Sequence, residues 1–389
     1  MHRLAALAAA TLALTLAAPV AAAELPTEPM SAQDAAAIDE AIAGVMAANP
    51  DVPAFYIGVW DPERGVYQQA YGLADIANEV PATVDDHFRI GSISKTFMAT
   101  IMLQLVDEGV FGLDDTVASV TPKLAERFPP YADITVRQLL GMQSGVEDYM
   151  NVPDAAVAVV ATENDTVFEP EQLVDYGIDA GVSAPGTPGY STTNYILMQL
   201  MAEDLTGETI QKLIAERLTE PLGMPATALP PNEDTTLPAP QSHGYIFEAC
   251  NQELVDDGAE PVEPGTDTTE WNASYGQSGG GMHSTIADLG VWAASLSGTE
   301  LLSDETAAER LEVEDIRIGA PYGLGIMQLG TELGHEGEAI GWEGWAGHDP
   351  DSGVTSVIFT NTCHDSGALF GAMQATDPAS YAALFGTSE

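Results

Sequence analysis

Ser92 and Lys95 stand three positions apart at the start of the most apolar segment of the chain. That spacing puts both side chains on one face of a helix. A serine hydroxyl becomes a nucleophile when a base takes its proton, and a desolvated lysine can have its pKa lowered toward that task. The chain has only three lysines, and Ser-x-x-Lys occurs once. An N-capping serine followed by a lysine that reaches solvent is the alternative, and the motif alone favours neither.

Tyr190 is the third residue with a candidate role, in the turn-rich loop 185–195 that leads into a predicted helix. Beside a protonated lysine, its phenol would have a pKa below about 10 and could carry protons. An aromatic ring that packs beneath a loop is the alternative.

Residues 335–338, with the sequence His-Glu-Gly-Glu, lie on a predicted strand. A glycine within a strand permits the close approach of another backbone, as a substrate site at a sheet edge requires. Zinc binding through His-Glu-x-x-His is excluded, because residue 339 is alanine. The other histidines show no metal-ligand spacing, and the sequence predicts no metal site.

The elements that must position these groups follow from hydrophobic periodicity. We predict an α/β fold of the α+β kind, with an antiparallel sheet of about five strands drawn from both chain ends, flanked by helices, and an inserted all-helical lobe. The predicted strands cover 54–60, 66–71, 331–340, 344–348 and 354–361. The predicted helices cover 31–48, 92–110, 134–142, 194–206, 209–222 and 285–296.

The chain divides into a leader and one large domain. Residues 1–23 combine a positive start, an apolar run rich in Ala and Leu, and a small-residue cleavage site, which is typical of a secretory signal peptide. Residues 226–272 are rich in Pro, Asp, Glu and Thr, and we predict a long surface excursion, partly ordered at best. The predicted domain covers 24–389, with a sheet lobe at 31–90 and 275–389 and a helical lobe at 92–274.

The net charge is −48 at pH 7, from 59 acidic and 11 basic residues. Such a surface repels nucleic acid and anionic membranes, and it repels itself unless salt screens it. We interpret the charge as adaptation to a saline exterior. No later run of 18 uninterrupted apolar residues follows the signal peptide, so we expect an exported protein, periplasmic or extracellular, without a membrane span. Cys250 and Cys363 could form one disulfide or remain two buried thiols.

Taken together and in this order, the three motifs resemble the penicillin-recognising serine hydrolases. That family includes D-alanyl-D-alanine carboxypeptidases, the larger serine β-lactamases, D-aminopeptidases and related esterases. The resemblance runs from about residue 35 to residue 365. Further similar segments lie at 88–91, 113–115, 134–140, 144–145, 221–224, 278–281, 284–285 and 322–325.

The resemblance implies an acyl-enzyme at Ser92, with Lys95 and Tyr190 as the base and acid pair. It implies an oxyanion hole built from the backbone N–H groups of Ser92 and Glu338. It implies a small-molecule or peptide-like substrate, with no metal or cofactor, and leaves the oligomeric state open. The implied substrate-binding residues are Thr192, His335, Glu336 and Gly337.

Two motifs depart from the family pattern. Thr192 replaces the asparagine of Tyr-x-Asn and cannot supply an amide donor to a substrate carbonyl. Glu336 and Glu338 replace hydroxyl residues that carboxypeptidases use, together with a nearby arginine, to grip the substrate's terminal carboxylate. Glu336 and Glu338 share one face of the predicted strand, and no Lys or Arg follows Arg317. Because two acids repel a carboxylate, we hypothesise that this subsite does not bind a free C-terminal carboxylate and that an amine, ester or amide leaving group fits better.

Other functions remain open at this stage. A carboxylesterase or a D-amino-acid amidase or aminopeptidase would have the same fold, and so would a non-catalytic sensor or binding module. Efficient β-lactamase action is less favoured, because His335 replaces the lysine usual there. Residues 276–280 match the Gly-x-Ser-x-Gly of another hydrolase class, but the strand and the parallel βαβ pattern that this class needs are missing.

Overall fold

Strands from the two ends of the chain form one antiparallel sheet in the computed structural model, which describes residues 25–152, 166–256, 260–363 and 366–380. In chain order the strands are β1 (Ala54–Asp61), β2 (Gly65–Asp75), β3 (Val80–Pro81), β4 (Phe88–Arg89), β5 (Tyr245–Ile246), β6 (Thr266–Asp267), β7 (His283–Ser284), β8 (Met327–Leu329), β9 (Glu332–Ala339), β10 (Trp342–His348) and β11 (Thr355–Thr360). Within the described residues the main sheet has seven strands in the order β3-β2-β1-β11-β10-β9-β8, while β4 pairs with β7 and β5 with β6.

The helices lie on the faces of this sheet and in the central part of the chain. In chain order they are α1 (Ala32–Ala48), α2 (Ser94–Asp107), α3 (Val117–Val120), α4 (Pro122–Arg127), α5 (Val136–Leu140), α6 (Pro170–Ala180), α7 (Thr192–Thr206), α8 (Ile210–Ile214), α9 (Glu220–Leu222), α10 (Glu248–Asp256), α11 (Gln277–Gly280), α12 (Ile286–Ser295), α13 (Asp304–Arg310) and α14 (Ser366–Thr376). A π-helical turn, Ala215–Thr219, joins α8 to α9.

The centre of the sheet is covered on both faces. Strand β1 lies between β2 and β11 and is buried at every position. Helix α12 packs against β1, β10 and β11, while α14 packs against β10, β11 and α1. This burial explains why β1 is a nearly continuous apolar run instead of an alternating one.

The predicted fold class is confirmed, with the five long strands coming from both ends of the chain. Two short edge strands, β3 and β8, extend the sheet to seven, and segments of two or three residues are too short to leave a periodic pattern. The lobe predicted as all-helical needs correction, because the pair β5 and β6 lies within it.

The described part of the excursion, residues 226–272, is tied to the rest of the protein. Cys250 and Cys363 form a disulfide, with 5.2 Å between their Cα atoms. The buried Arg89 guanidinium donates hydrogen bonds to three backbone carbonyls of the excursion, at Thr235, Thr269 and Trp271. These attachments give the segment more order than its composition indicates.

Helix α1 begins where the sequence predicts, with the Ser31 hydroxyl accepting a hydrogen bond from the Asp34 amide. The predicted signal peptide, residues 1–23, lies outside the described residues. Within the described ranges, no helix has both the length and the apolarity that crossing a membrane requires.

Glu332 on β9 is a carboxyl group enclosed by the core. Its Oε2 accepts hydrogen bonds from Trp345 Nε1 at 2.6 Å and from Ser356 Oγ at 2.7 Å. Burial raises the Glu332 pKa to about 8, and the nearby Asp377 adds to this effect. In the folded protein Glu332 therefore stays protonated at pH values where an unfolded chain would ionise it.

We predict that this residue makes stability fall as pH rises from 4.5, its ordinary pKa, to about 8. The unfolded state binds fewer protons over that range, which costs up to about 1.4 kcal/mol per pH unit. Glu332→Gln should flatten the dependence of unfolding free energy on pH, as measured by urea denaturation at several pH values. The exposed Glu126→Gln is the control, and parallel pH curves for Glu332→Gln and wild type would contradict the prediction.

Candidate active site

Ser92 lies in a short 3-10 turn, Gly91–Ile93, that leads directly into α2. Gly91 has a φ of +51°, and a Cβ atom at this position would collide with the backbone of Glu338. A Cβ atom at Gly337 would likewise collide with the carbonyl oxygen of Ile90. Both positions need glycine, because the backbone before Ser92 lies directly against strand β9.

A second backbone segment reaches Ser92 through a short strand pair. Strand β4 pairs with β7, and the Ile90 amide donates to the Met282 carbonyl at 3.0 Å. The glycine-rich segment 276–281, which contains the short helix α11, precedes β7 and is brought beside the site. Its contact with the site is the carbonyl of Gly279, which accepts a hydrogen bond from Lys95.

The Lys95 ammonium is buried and directed at Ser92. Its Nζ donates to Ser92 Oγ at 2.8 Å and to the Gly279 carbonyl at 2.9 Å. The same nitrogen lies 4.8 Å from the centre of the Tyr190 ring and 5.8 Å from that of Tyr195. Desolvation lowers the Lys95 pKa to about 8, against the charges of Asp148 and Glu336, which raise it. A neutral amine in contact with the hydroxyl is thus accessible near neutral pH.

Tyr190 lies beside Lys95, but the direction predicted for its pKa shift is wrong. A lysine neighbour was expected to lower the phenol pKa; instead, burial raises it well above its ordinary value. Hydrogen bonding with Ser92 opposes the shift, while the charges of Glu336 and Asp148 reinforce it. The phenol therefore keeps its proton when Lys95 has lost its own, which separates the two groups into a donor and a base.

His335 lies in the interior beside Tyr190, with 6.3 Å between the two ring centroids. Its side chain reaches Lys95 and Tyr190 and not the open side of the cleft, which corrects the predicted direct contact with a substrate. The ring is buried, and Nδ1 lies 2.6 Å from the Glu336 carbonyl, which can only accept. Nδ1 therefore carries the hydrogen, and Nε2 accepts from the Tyr322 hydroxyl at 3.0 Å. Burial and the Lys95 charge lower the His335 pKa to about 3, so the ring is neutral.

The two acids of β9 stand on its exposed face. Glu336 and Glu338 are exposed, while the alternate positions His335 and Gly337 are buried, as the period of a strand requires. The Glu336 charge acts to raise the pKa of Lys95 and of Tyr190, and the Glu338 charge acts to raise the pKa of Tyr275. The side of the cleft formed by this strand is therefore negative.

The Thr192 hydroxyl is likewise bonded inside the protein. Its hydroxyl donates to Asp148 Oδ2 at 2.8 Å, and its backbone N–H donates to the same oxygen at 2.7 Å. Thr192 is 7% exposed and Asp148 is 6% exposed. Because the hydroxyl is used internally, Thr192 does not replace the missing amide donor. Asp148 was overlooked in a chain with 59 acidic residues, where one more aspartate gives no signal.

The arrangement provides a nucleophile, a base of lowered pKa and a phenol that retains its proton. The backbone of Glu338 lies against Gly91, beside Ser92, where a second oxyanion donor is expected. Within the described residues, no cluster of three or more His, Cys, Asp or Glu side chains could hold a metal ion. The geometry suits attack of Ser92 on a carbonyl carbon.

Comparisons with known proteins agree with this chemistry. The family model described as beta-lactamase matches residues 38–376. A D-aminopeptidase of Brucella anthropi is 27% identical over 320 residues, covering 79% of this chain and 56% of the relative's length. A D-stereospecific amidohydrolase from Streptomyces sp. has a TM-score of 0.75 and 28% identity, covering 88% of this chain and 98% of the other. A D-amino acid amidase from Ochrobactrum anthropi SV3 has a TM-score of 0.74 and 25% identity, covering 88% and 97%.

If Lys95 is the base, the reactivity of Ser92 should rise with pH through about 8 and then level off. The measurement is the rate at which a fluorophosphonate labels Ser92, followed by intact mass. Lys95→Met should slow labelling by at least about a hundredfold on the plateau above pH 8 and remove the rise with pH, because the general base is lost. Lys123→Met, whose side chain is exposed, is the matched control. A labelling rate independent of pH across this range would rule out the assignment.

Proposed function

The chain belongs to the beta-lactamase family, and from this premise we propose that it is a serine hydrolase that acts through an acyl-enzyme at Ser92. The observation that carries the proposal is the buried Lys95 ammonium, hydrogen-bonded to Ser92 Oγ at 2.8 Å and to the Gly279 carbonyl at 2.9 Å. A lysine with a purely structural role would not need the hydroxyl of a serine in the turn before the helix as its hydrogen-bond partner. A binding module derived from the same fold would not retain a covalent label on Ser92.

The first half of the reaction forms the acyl-enzyme. Neutral Lys95 takes the proton of Ser92, and the serine oxygen attacks the substrate carbonyl carbon. The backbone N–H groups of Ser92 and Glu338 are the proposed donors to the oxyanion, and each such donor contributes roughly 2.7–4 kcal/mol in related chemistry. Tyr190 donates the proton that the leaving group needs as the carbon–nitrogen or carbon–oxygen bond breaks, and Lys95 returns a proton to Tyr190.

The second half releases the product. Water attacks the acyl carbon from the side vacated by the leaving group, and the same side chains move its protons in the reverse direction. The serine oxygen leaves with a proton, and the resting hydrogen bond to Lys95 is restored.

The substrate class follows from charge at the cleft. Glu336 and Glu338 stand on the exposed face of β9, and Glu336 and Asp148 act on Lys95 and Tyr190. A carboxylate beside the scissile bond would be repelled there, whereas a free ammonium group would be attracted. We propose amides, esters or short peptides of D-amino acids with a free amino group. The D configuration is taken from the names of the similar amidases and aminopeptidase.

Carboxypeptidase action on D-alanyl-D-alanine is the less favoured candidate, because its substrate ends in a carboxylate. We also propose export to the periplasm or the exterior, as residues 1–23 predict. The disulfide between Cys250 and Cys363 supports export, since such bonds persist mainly in oxidising compartments.

We predict that the wild-type protein hydrolyses the amides of D-alanine and D-phenylalanine faster than acyl-D-alanyl-D-alanine. The double variant Glu336→Gln, Glu338→Gln should narrow the ratio of kcat/KM for these substrates by at least about tenfold, because two like charges facing the carboxylate are removed. Chiral chromatography of the products measures both rates.

Ser92→Ala should abolish every activity, and the exposed Glu40→Gln should leave the ratio unchanged. Strong wild-type carboxypeptidase activity would overturn the substrate assignment. Retention of amidase activity in Ser92→Ala would overturn the acyl-enzyme itself.

A further inference from the structure

The segment that carries Tyr190 is held by a turn from a different part of the chain. Residues 147–149 contact residues 191–193 through hydrogen bonds that alternate between backbone and side chain. They are Ser191 Oγ to the Glu147 carbonyl at 3.3 Å, Thr193 Oγ1 to the same carbonyl at 2.8 Å, the Tyr149 amide to Thr193 Oγ1 at 3.0 Å, and the amide and hydroxyl of Thr192 to Asp148 Oδ2 at 2.7 and 2.8 Å. Tyr190 immediately precedes this clamp.

Asp148 is the charged member of the clamp. The N-cap residue of α7, Ser191, makes no side-chain capping bond, and the Asp148 carboxylate accepts from the first amide of the helix instead. An anion at a helix N-terminus is favoured by the helix dipole. The other carboxylate oxygen accepts from the Met150 amide at 3.0 Å. Every hydrogen bond given to this carboxylate therefore comes from an uncharged donor.

The cation that the Asp148 charge acts upon is Lys95. Within the described part of the chain, no Lys, Arg or His side chain lies within 4 Å of Asp148, yet its charge is the largest influence that raises the Lys95 pKa against desolvation. The other groups that face Lys95 are the Ser92 hydroxyl, the rings of Tyr190 and Tyr195, the His335 ring and the Glu336 carboxylate.

Tyrosines around Asp148 respond to the same charge. The pKa values of Tyr131, Tyr149 and Tyr190 are raised by burial and, to a smaller extent, by the Asp148 carboxylate. None of these phenols ionises near neutral pH, so Lys95 is the group through which the charge of Asp148 would alter the reaction.

We propose that Asp148 is a positioning residue, whose buried carboxylate holds Tyr190 against Ser92 through Thr192 and whose charge sets the pH above which the site becomes active. The proposal rests on the function proposed above and names the residue that fixes the segment carrying Tyr190. Fixing Tyr190 and holding the proton on Lys95 are two separable effects of one side chain, which makes each of them measurable alone.

Asp148→Asn removes the charge with little change in shape. We expect the acid limb of the profile of kcat/KM against pH to move to lower pH by about half a unit or more, since an opposite charge near Lys95 is lost. The plateau of kcat should fall about tenfold, because a charged hydrogen-bond acceptor of the Thr192 amide is lost. Hydrolysis of D-phenylalanine amide is the readout, with far-ultraviolet circular dichroism as the check on folding.

Two further variants separate the effects. Thr192→Val removes the hydroxyl bond and keeps the charge, so kcat should fall while the acid limb stays in place. Asp148→Glu keeps the charge on a longer side chain, so it should also leave the acid limb near that of the wild type. These two variants keep the proposal testable if Asp148→Asn fails to fold.

A wild-type acid limb in a folded Asp148→Asn variant would overturn the proposal and leave the proposed hydrolase function intact. An acid limb displaced equally by Asp148→Glu or Thr192→Val would also overturn it, because the shift would then come from geometry and not from charge. Absence of any Ser92-dependent hydrolysis in the wild type would overturn the proposed function, and this proposal with it.

Discussion

Burial of one lysine is the constraint on which the site depends. An ammonium group removed from water is costly unless it is hydrogen-bonded and its charge is compensated. Lys95 has two hydrogen-bond partners, two aromatic rings and two nearby carboxylates. Lys95 lies on helix α2, most of which is buried, and the Gly279 carbonyl accepts one of its hydrogen bonds. The same desolvation that makes burial of the Lys95 ammonium destabilising for the folded state also lowers its pKa, as a base requires.

Close packing between two backbone segments, the turn before Ser92 and strand β9, brings β9 to the site. Gly91 and Gly337 are the points at which the turn before Ser92 touches strand β9. A methyl group at either position would collide with the facing backbone and push the strand away from the serine. The position of the Glu338 backbone relative to Ser92 therefore depends on glycine at both positions.

The sequence was sufficient for the fold class, because long apolar strands leave a strong periodic pattern. It was sufficient for the convergence of Ser92, Lys95 and Tyr190 only through the resemblance of three motifs taken together to a known family, since Ser-x-x-Lys alone is ambiguous. It was insufficient where a property depends on what lies across space. The direction of the Tyr190 pKa shift depends on burial and on acids from two other segments. The role of His335 depends on which side of β9 is covered, and that of Thr192 on an aspartate 44 residues earlier. No local pattern encodes these neighbours.

The order of strands also bears on how the chain folds. Strand β11 lies between β1 and β10, and the hydrogen bond from the Ala54 amide to Asn361 Oδ1 closes a loop of 307 residues. Such non-local pairing makes folding slow, because the entropy of closing the loop is lost before the contacts form. During synthesis, β1 lacks its partner β11 until that strand emerges from the ribosome. Strand β9, which flanks Ser92, is joined to the hairpin of β1 and β2 only at that point, so the nascent polypeptide remains catalytically incomplete until β11 has been made.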